Sequence, residues 1–209
     1  MKREDLLLYA VTDRSWLGDE TLYSQVEKAL RGGATFLQLR EKELDEESFL
    51  REAMELKELC RSFHVPYVIN DNVDIAIACD ADGVHVGQTD MESGLVREKL
   101  GPDKIIGVSC RTVEEALQAE RNGADYLGVG AMFPTGTKSD ATSVSFEMLR
   151  EICQSVKIPV VAIGGISQEN VAGLRGSGID GIAVVSAIFA QADIELATRS
   201  LKQAVSQIL

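Results

Sequence analysis

Two carboxylates, Asp71 and Asp90, each follow a short apolar run, and the amide of Asn70 stands beside the first. Such an oxygen set is poor for zinc but suits Mg²⁺, which keeps several waters and completes its octahedron with substrate phosphate oxygens. Either aspartate alone would serve equally well as a helix cap; two of them after neighbouring strands favour the metal. Gln38, Arg40 and Lys42 recur at every second position, so an extended segment would carry all three on one side with Glu41 opposite. A forked guanidinium beside an ammonium is apt for pyrophosphate. Taken alone these would be ordinary solvated charges, but Lys138 supplies a third cation from another loop.

That loop, residues 131–143, is the longest stretch without periodicity and contains Pro134-Thr135-Gly136-Thr137-Lys138. Long loops of this kind often act as lids. Its hydroxyls and lysine could close over a charged substrate, while Gly136 lets backbone N–H groups approach an anion. Further on, Gly164-Gly165 and Val185-Ser186 end two late apolar runs. In a barrel those positions bind a phosphate monoester through backbone N–H groups and a helix N-terminus. Ser109 ends another run and could donate to a phosphate oxygen. Cys110 beside it reads as packing, with no His–Asp partner evident. Asp13, Arg14 and the strand histidine His85 carry no assigned role, and Tyr9, Trp16, Phe36 and Tyr67 read as packing.

The elements that must position these groups alternate throughout. Runs at roughly 6–12, 34–40, 66–70, 82–86, 105–109, 124–130, 159–163 and 180–185 read as strands. They are rich in Val, Ile and Leu, as strands covered by helices should be. Segments 46–63, 111–122, 145–155 and 191–206 have helical spacing, and 15–31 is a further helix. Eight strand–helix repeats with polar strand ends define an α/β chain, residues 1–209 forming a single (β/α)₈ TIM barrel domain with its active site at the C-terminal ends of the strands. An open doubly wound sheet is less suited, because no G-x-G-x-x-G follows the first strand. A weak repeat, Gly33-Ala34-Thr35, Asp80-Ala81-Asp82, Gly123-Ala124-Asp125 and Gly178-Ile179-Asp180, precedes every second strand and reads as stabilising turns at the opposite face.

With 33 acidic against 21 basic residues and a net charge of −12, the chain is unsuited to nucleic acid or an anionic membrane surface. The four cysteines, Cys60, Cys79, Cys110 and Cys153, are widely separated and fit reduced thiols of a cytoplasmic protein. No signal peptide or membrane-spanning apolar run is evident.

The ordered set YAVTD (9–13), QLREK (38–42), Asn70-Asp71, ADGVHVGQTD (81–90), GVSC (107–110), PTGTK (134–138), VAIGGI (161–166) and AVVSAI (183–188) resembles the thiamine phosphate synthases. The resemblance spans nearly the whole chain. It implies a Mg²⁺-dependent transferase joining two small-molecule substrates, an aminopyrimidine diphosphate and a thiazole phosphate, the latter also acceptable as a carboxylate that loses CO₂. By the same resemblance Gln38, Leu39, Arg40, Glu41, Lys42, Asn70, Ser109 and Lys138 hold the pyrimidine diphosphate. Asp71 and Asp90 then ligate the metal, while Thr135, Gly136, Thr137, Gly165, Val185 and Ser186 hold the thiazole phosphate. Catalysis falls to Arg40, Lys42 and Lys138 through stabilisation of departing pyrophosphate, with no protein nucleophile required. The rivals are a barrel that isomerises the thiazole and a silent sensor of thiazole or thiamine phosphates; neither needs the full metal and cation set.

Overall fold

In the computed structural model, which describes residues 1–87, 93–135 and 143–209, each apolar run is a strand whose alternate side chains enter two separate cores. The strands are β1 (Leu8–Val11), β2 (Phe36–Leu39), β3 (Tyr67–Asn70), β4 (Gly83–Val86), β5 (Ile105–Cys110), β6 (Tyr126–Val129), β7 (Val160–Ile163) and β8 (Gly181–Val184). All pair in parallel, in chain order, and β8 closes on β1 to form the expected barrel. Leu8, Ala10, Leu37, Leu39, Ile69, Val84, Val86 and their equivalents pack outward against helices. Tyr9, Val11, Phe36, Val68, Tyr126, Val161 and Ala183 fill the interior. Burial on both faces is why the strands read as continuous apolar runs.

The helices are α1 (Leu22–Gly32), α2 (Glu46–Ser62), α3 (Val73–Ala78), α4 (Ser93–Leu100), α5 (Val113–Arg121), α6 (Phe146–Ser155), α7 (Ser186–Phe189) and α8 (Ile194–Ser206). Side-chain caps start α1, α2, α3, α5, α6 and α8, from Thr21, Asp45, Asn72, Thr112, Ser145 and Asp193. The single helix expected over 15–31 is divided. A 3₁₀ turn (Arg14–Trp16) comes first, Gly18 then adopts φ 55°, and Thr21 starts α1 afresh. Trp16, read as packing, is 42% exposed on that turn. Between β7 and β8 the described crossover holds a 3₁₀ turn, Val171–Leu174.

The weak sequence repeat has a common structural cause at the N-terminal ends of the strands. Thr35 Oγ1 accepts from Leu8 N at 2.9 Å, Asp82 Oδ2 from Tyr67 N at 2.8 Å, Asp125 Oδ2 from Ile106 N at 2.8 Å, and Asp180 Oδ2 from Val160 N at 2.9 Å. Each of these four residues returns its own N–H to the carbonyl of the residue it accepts from. The turn leading in is left-handed every time, at Gly33 (φ 100°), Asp80 (φ 52°), Gly123 (φ 88°) and Gly178 (φ 90°). These exchanges satisfy the N–H groups at the starts of the odd strands at the end opposite the site.

Candidate active site

Because strand side chains alternate, Gln38 and Asn70 share the inward parity of Tyr9 and Val68, and their strands lie side by side (Gln38 opposite Val68, Asn70 opposite His85). Leu39 has the other parity and is fully buried among the helices. The expected contact of Leu39 with substrate would therefore have to be made by its main chain. β2 ends at Leu39 and the chain bends at Lys42, so the extended alternation expected through Lys42 stops short of it.

Two charged groups from β1 and β2 nevertheless meet at the barrel mouth. Arg40 N donates to Thr12 Oγ1 at 3.0 Å, and Arg40 Nη1 lies 2.9 Å from Asp13 Oδ2. Asp13 is thereby given a place, since its other oxygen accepts from Ser15 N and starts the 3₁₀ turn. Arg40 Nε is buried with no hydrogen-bond partner among the described residues. A buried guanidinium donor left unspent is costly unless an acceptor arrives, and a phosphate oxygen meets that need.

Lys42 Nζ lies 2.6 Å from Asp71 Oδ2, the same oxygen that accepts from Asn70 Nδ2 at 2.6 Å. Asp71 adopts φ 61°. Among the described residues the other non-glycine ones with positive φ, His64 and Asp80, directly follow helix ends, where such a turn is ordinary. Asp71 instead follows a strand, and Asn72, not Asp71, caps α3. The capping explanation is thus excluded for Asp71, and its left-handed turn directs the carboxylate to Lys42. Among the described residues no three carboxylate, imidazole or thiolate groups gather. The second expected ligand, Asp90, lies outside the described residues.

Glu41 shows what sequence reading missed. Its Oε1 accepts from the backbone N–H of Lys42, Glu43 and Leu44, at 2.7, 2.6 and 3.1 Å, and its other oxygen pairs with Arg14. Arg14 also holds Glu52 of α2 at 2.6 Å. Burial raises the pKa of both carboxyls, yet Glu41 is held below the usual range by the N–H of Glu43, by Arg14 and by the N–H of Leu44. At Glu52 burial prevails over Arg14 and the pKa is raised. The Glu41 carboxylate oxygens thus shape the β2–α2 loop that carries Lys42, a role its place in the sequence did not suggest.

On the far side, Ser109 at the end of β5 lies opposite Gly128 and holds His85 Nε2 at 2.9 Å. Cys110 has the outward parity and packs among the helices, and burial pushes its thiol up to about 12. Gly164 (φ 95°) and Gly165 (φ 65°) turn the chain at the end of β7. A Cβ on Gly165 would lie 2.5 Å from Pro134 O, and one on Gly164 2.6 Å from Ala131 Cα. The pair therefore lets the loop from β6 pass over the end of β7, where Met132 N and Phe133 N donate to Ile163 O and Gly164 O. β7 and β8 pair Ile163 with Ala183, so Gly165 and Val185 lie two residues beyond on adjacent strands. Ser186 opens the short α7, with no side-chain cap at its start. Thr135 is partly buried beside this junction, whereas Gly136, Thr137 and Lys138 lie outside the described residues.

Fold and site define an enzyme of the (β/α)₈-barrel class whose cations and carboxylates meet at the C-terminal ends of its strands. Residues 8–188 match the model of the family described as thiamine monophosphate synthase, and the chain belongs to that family. It is 53% identical over 198 residues to the thiamine-phosphate synthase of Clostridium beijerinckii, covering 95% of each chain. To that of Clostridium botulinum it is 51% identical over 199 residues, covering 95% of this chain and 93% of the other. The solved thiamine phosphate pyrophosphorylase from Pyrococcus furiosus superposes with TM-score 0.92 at 42% identity, covering 99% of this chain and 98% of that one.

Proposed function

We propose that the protein couples an aminopyrimidine diphosphate to a thiazole phosphate, giving thiamine phosphate and pyrophosphate, with CO₂ released when the thiazole is carboxylated. Family membership supports the reaction. The observation that carries the residue assignment is Arg40, with a buried unspent Nε, two residues before the Lys42 that pairs with Asp71. The bond between the pyrimidine methylene and the diphosphate oxygen breaks, its electron pair leaving on pyrophosphate, and the thiazole nitrogen bonds to the methylene carbon.

Arg40 and Lys42, with Lys138, hold the diphosphate and stabilise its growing charge. Gln38, Asn70 and Ser109 orient the pyrimidine from the inward face, while backbone at Gly165, Val185 and Ser186, with Thr135, Gly136 and Thr137, takes the thiazole phosphate. Mg²⁺ fits the donor set, since Asp71 offers a carboxylate beside an amide at a strand end. Asp90 is proposed as its second ligand. When bound, the ion supplies further neutralisation of the leaving group.

Purified protein given both substrates, with and without Mg²⁺, is expected to form thiamine phosphate, detected after oxidation to fluorescent thiochrome. Product in the presence of the metal alone supports the whole reading. Equal product in chelator would remove the metal, and no product in either case would remove the coupling reaction.

A further inference from the structure

Inside the barrel, polar side chains from five strands touch in sequence. Gln38 Nε2 donates to Tyr9 Oη at 2.5 Å, Tyr9 Oη meets Tyr126 Oη at 2.8 Å, Tyr126 Oη meets His85 Nδ1 at 2.9 Å, and His85 Nε2 meets Ser109 Oγ at 2.9 Å. Tyr9 and Tyr126 are almost fully buried, in edge-on contact with each other and with Phe36. Burial raises both phenols well above their usual pKa, so each carries its hydrogen. Gly107 and Gly128 make the space: a Cβ on Gly107 would lie 2.1 Å from Tyr126 Cζ and 2.5 Å from His85 Nδ1, and one on Gly128 3.1 Å from His85 Cε1.

With Gln38 Nε2 as the donor to Tyr9 and a neutral imidazole, the hydrogens in this chain run one way. An amide nitrogen donates and does not accept, so Tyr9 accepts from Gln38 and its own hydrogen goes to Tyr126. Tyr126, now an acceptor from Tyr9, passes its hydrogen to His85 Nδ1. That ring nitrogen is the acceptor, which puts the imidazole proton on Nε2, from which it is donated to Ser109 Oγ. The Ser109 hydrogen then serves an acceptor other than His85.

We propose that Tyr126 is a positioning residue that directs this chain from Gln38 to Ser109, fixing His85 as its Nε2–H tautomer and presenting the Ser109 hydroxyl to the pyrimidine substrate as a donor. The proposal rests on the assignment of Gln38 and Ser109 to that substrate. It goes beyond it by giving roles to Tyr9, Tyr126 and His85 and by setting the polarity of every bond between them.

Its first test needs no substrate. The chain has two histidines, His64 and His85, so long-range ¹H–¹⁵N correlation of the ¹⁵N-labelled full-length protein resolves both rings, and His64→Asn assigns them. His85 is expected to carry its proton on Nε2; a proton on Nδ1 would reverse the chain and overturn the proposal. The second test is kinetic. Tyr126→Phe should raise the KM for the pyrimidine diphosphate about tenfold, the scale of one hydrogen bond, and leave the KM for the thiazole phosphate unchanged. In a Ser109→Ala background the same substitution should add nothing, because it acts through Ser109. Equal effects of Tyr126→Phe in the two backgrounds would overturn the coupling. Normal kinetics of Ser109→Ala with the Nε2–H tautomer intact would overturn the substrate assignment and the proposal with it. A Nδ1–H ring in an enzyme that still depends on Ser109 would overturn the chain alone.

Discussion

At Asp71 one carboxylate oxygen answers both an ammonium and an amide, while the backbone turns left-handed to place it there. Asn adopts that conformation about as readily as Asp, so Asp71→Asn tests charge with the backbone kept. It is expected to raise the Mg²⁺ concentration needed for half-maximal rate by at least about tenfold, the lower end of what disturbing a metal site costs. Initial rates titrated with metal would show it. An unaltered titration would remove the metal role of Asp71. The polar residues at this scale were legible because charged and amide side chains are unusual at the ends of apolar runs. Their partners were not. Arg40 with Asp13, and Arg14 with Glu41 and Glu52, are matched by tertiary contact between β1, β2 and α2, and spacing along the chain carries no record of that. His85 stayed unassigned for the same reason, its Tyr126 partner being 41 residues away.

The β2–α2 loop hangs on one buried carboxylate. Glu41 is held below the usual carboxylate pKa range in the folded chain, so its contribution to stability is fully present above the unfolded value and is lost as pH falls through the lowered one. Glu41→Gln should therefore cost about 1–3 kcal/mol near neutral pH, with the gap from the unsubstituted protein closing in acid. Denaturant unfolding across that range would measure it, and a gap independent of pH would show that the charge of Glu41 does nothing for the loop. Strands were the most legible elements, because burial on both faces makes them short, mostly apolar runs rich in Val, Ile and Leu. α3 escaped because six residues are too few to display a helical period. The helix read over 15–31 was overdrawn because an apolar spacing survived across Gly18, whose left-handed turn ends any helix.

Over the whole molecule, the end of the barrel away from the site is held by side-chain acceptors for strand N–H groups. Asp125 takes both Ile106 N at 2.8 Å and Arg97 Nη2 at 2.6 Å. Asp125→Ala leaves that N–H without its acceptor and should lower stability by about 1–3 kcal/mol. The kinetics of the remaining folded enzyme should be untouched, since the change lies at the opposite end from the reacting groups. A fall in kcat without a fall in melting temperature would contradict this division of labour. The repeat that exposed these residues was visible in the sequence, though the bonds they make were not, because a turn motif does not say which strand it faces.

Each of these reciprocal exchanges closes within β1–β2, β3–β4, β5–β6 or β7–β8, and none joins one pair to the next. These exchanges therefore group the strands in quarters, while main-chain bonds such as Ile105 N to Asp82 O, and the Arg97–Asp125 pair, cross from one quarter to the next. A new terminus or an inserted sequence at Gly101-Pro102, between β4 and β5, leaves every quarter covalently whole. The same alteration between β3 and β4 splits one. The placement of Thr35, Asp82, Asp125 and Asp180 thus marks which loops can be opened without cutting one of these exchanges, and at Gly101-Pro102 the bonds of Arg97 to both carbonyls are what an insertion must preserve.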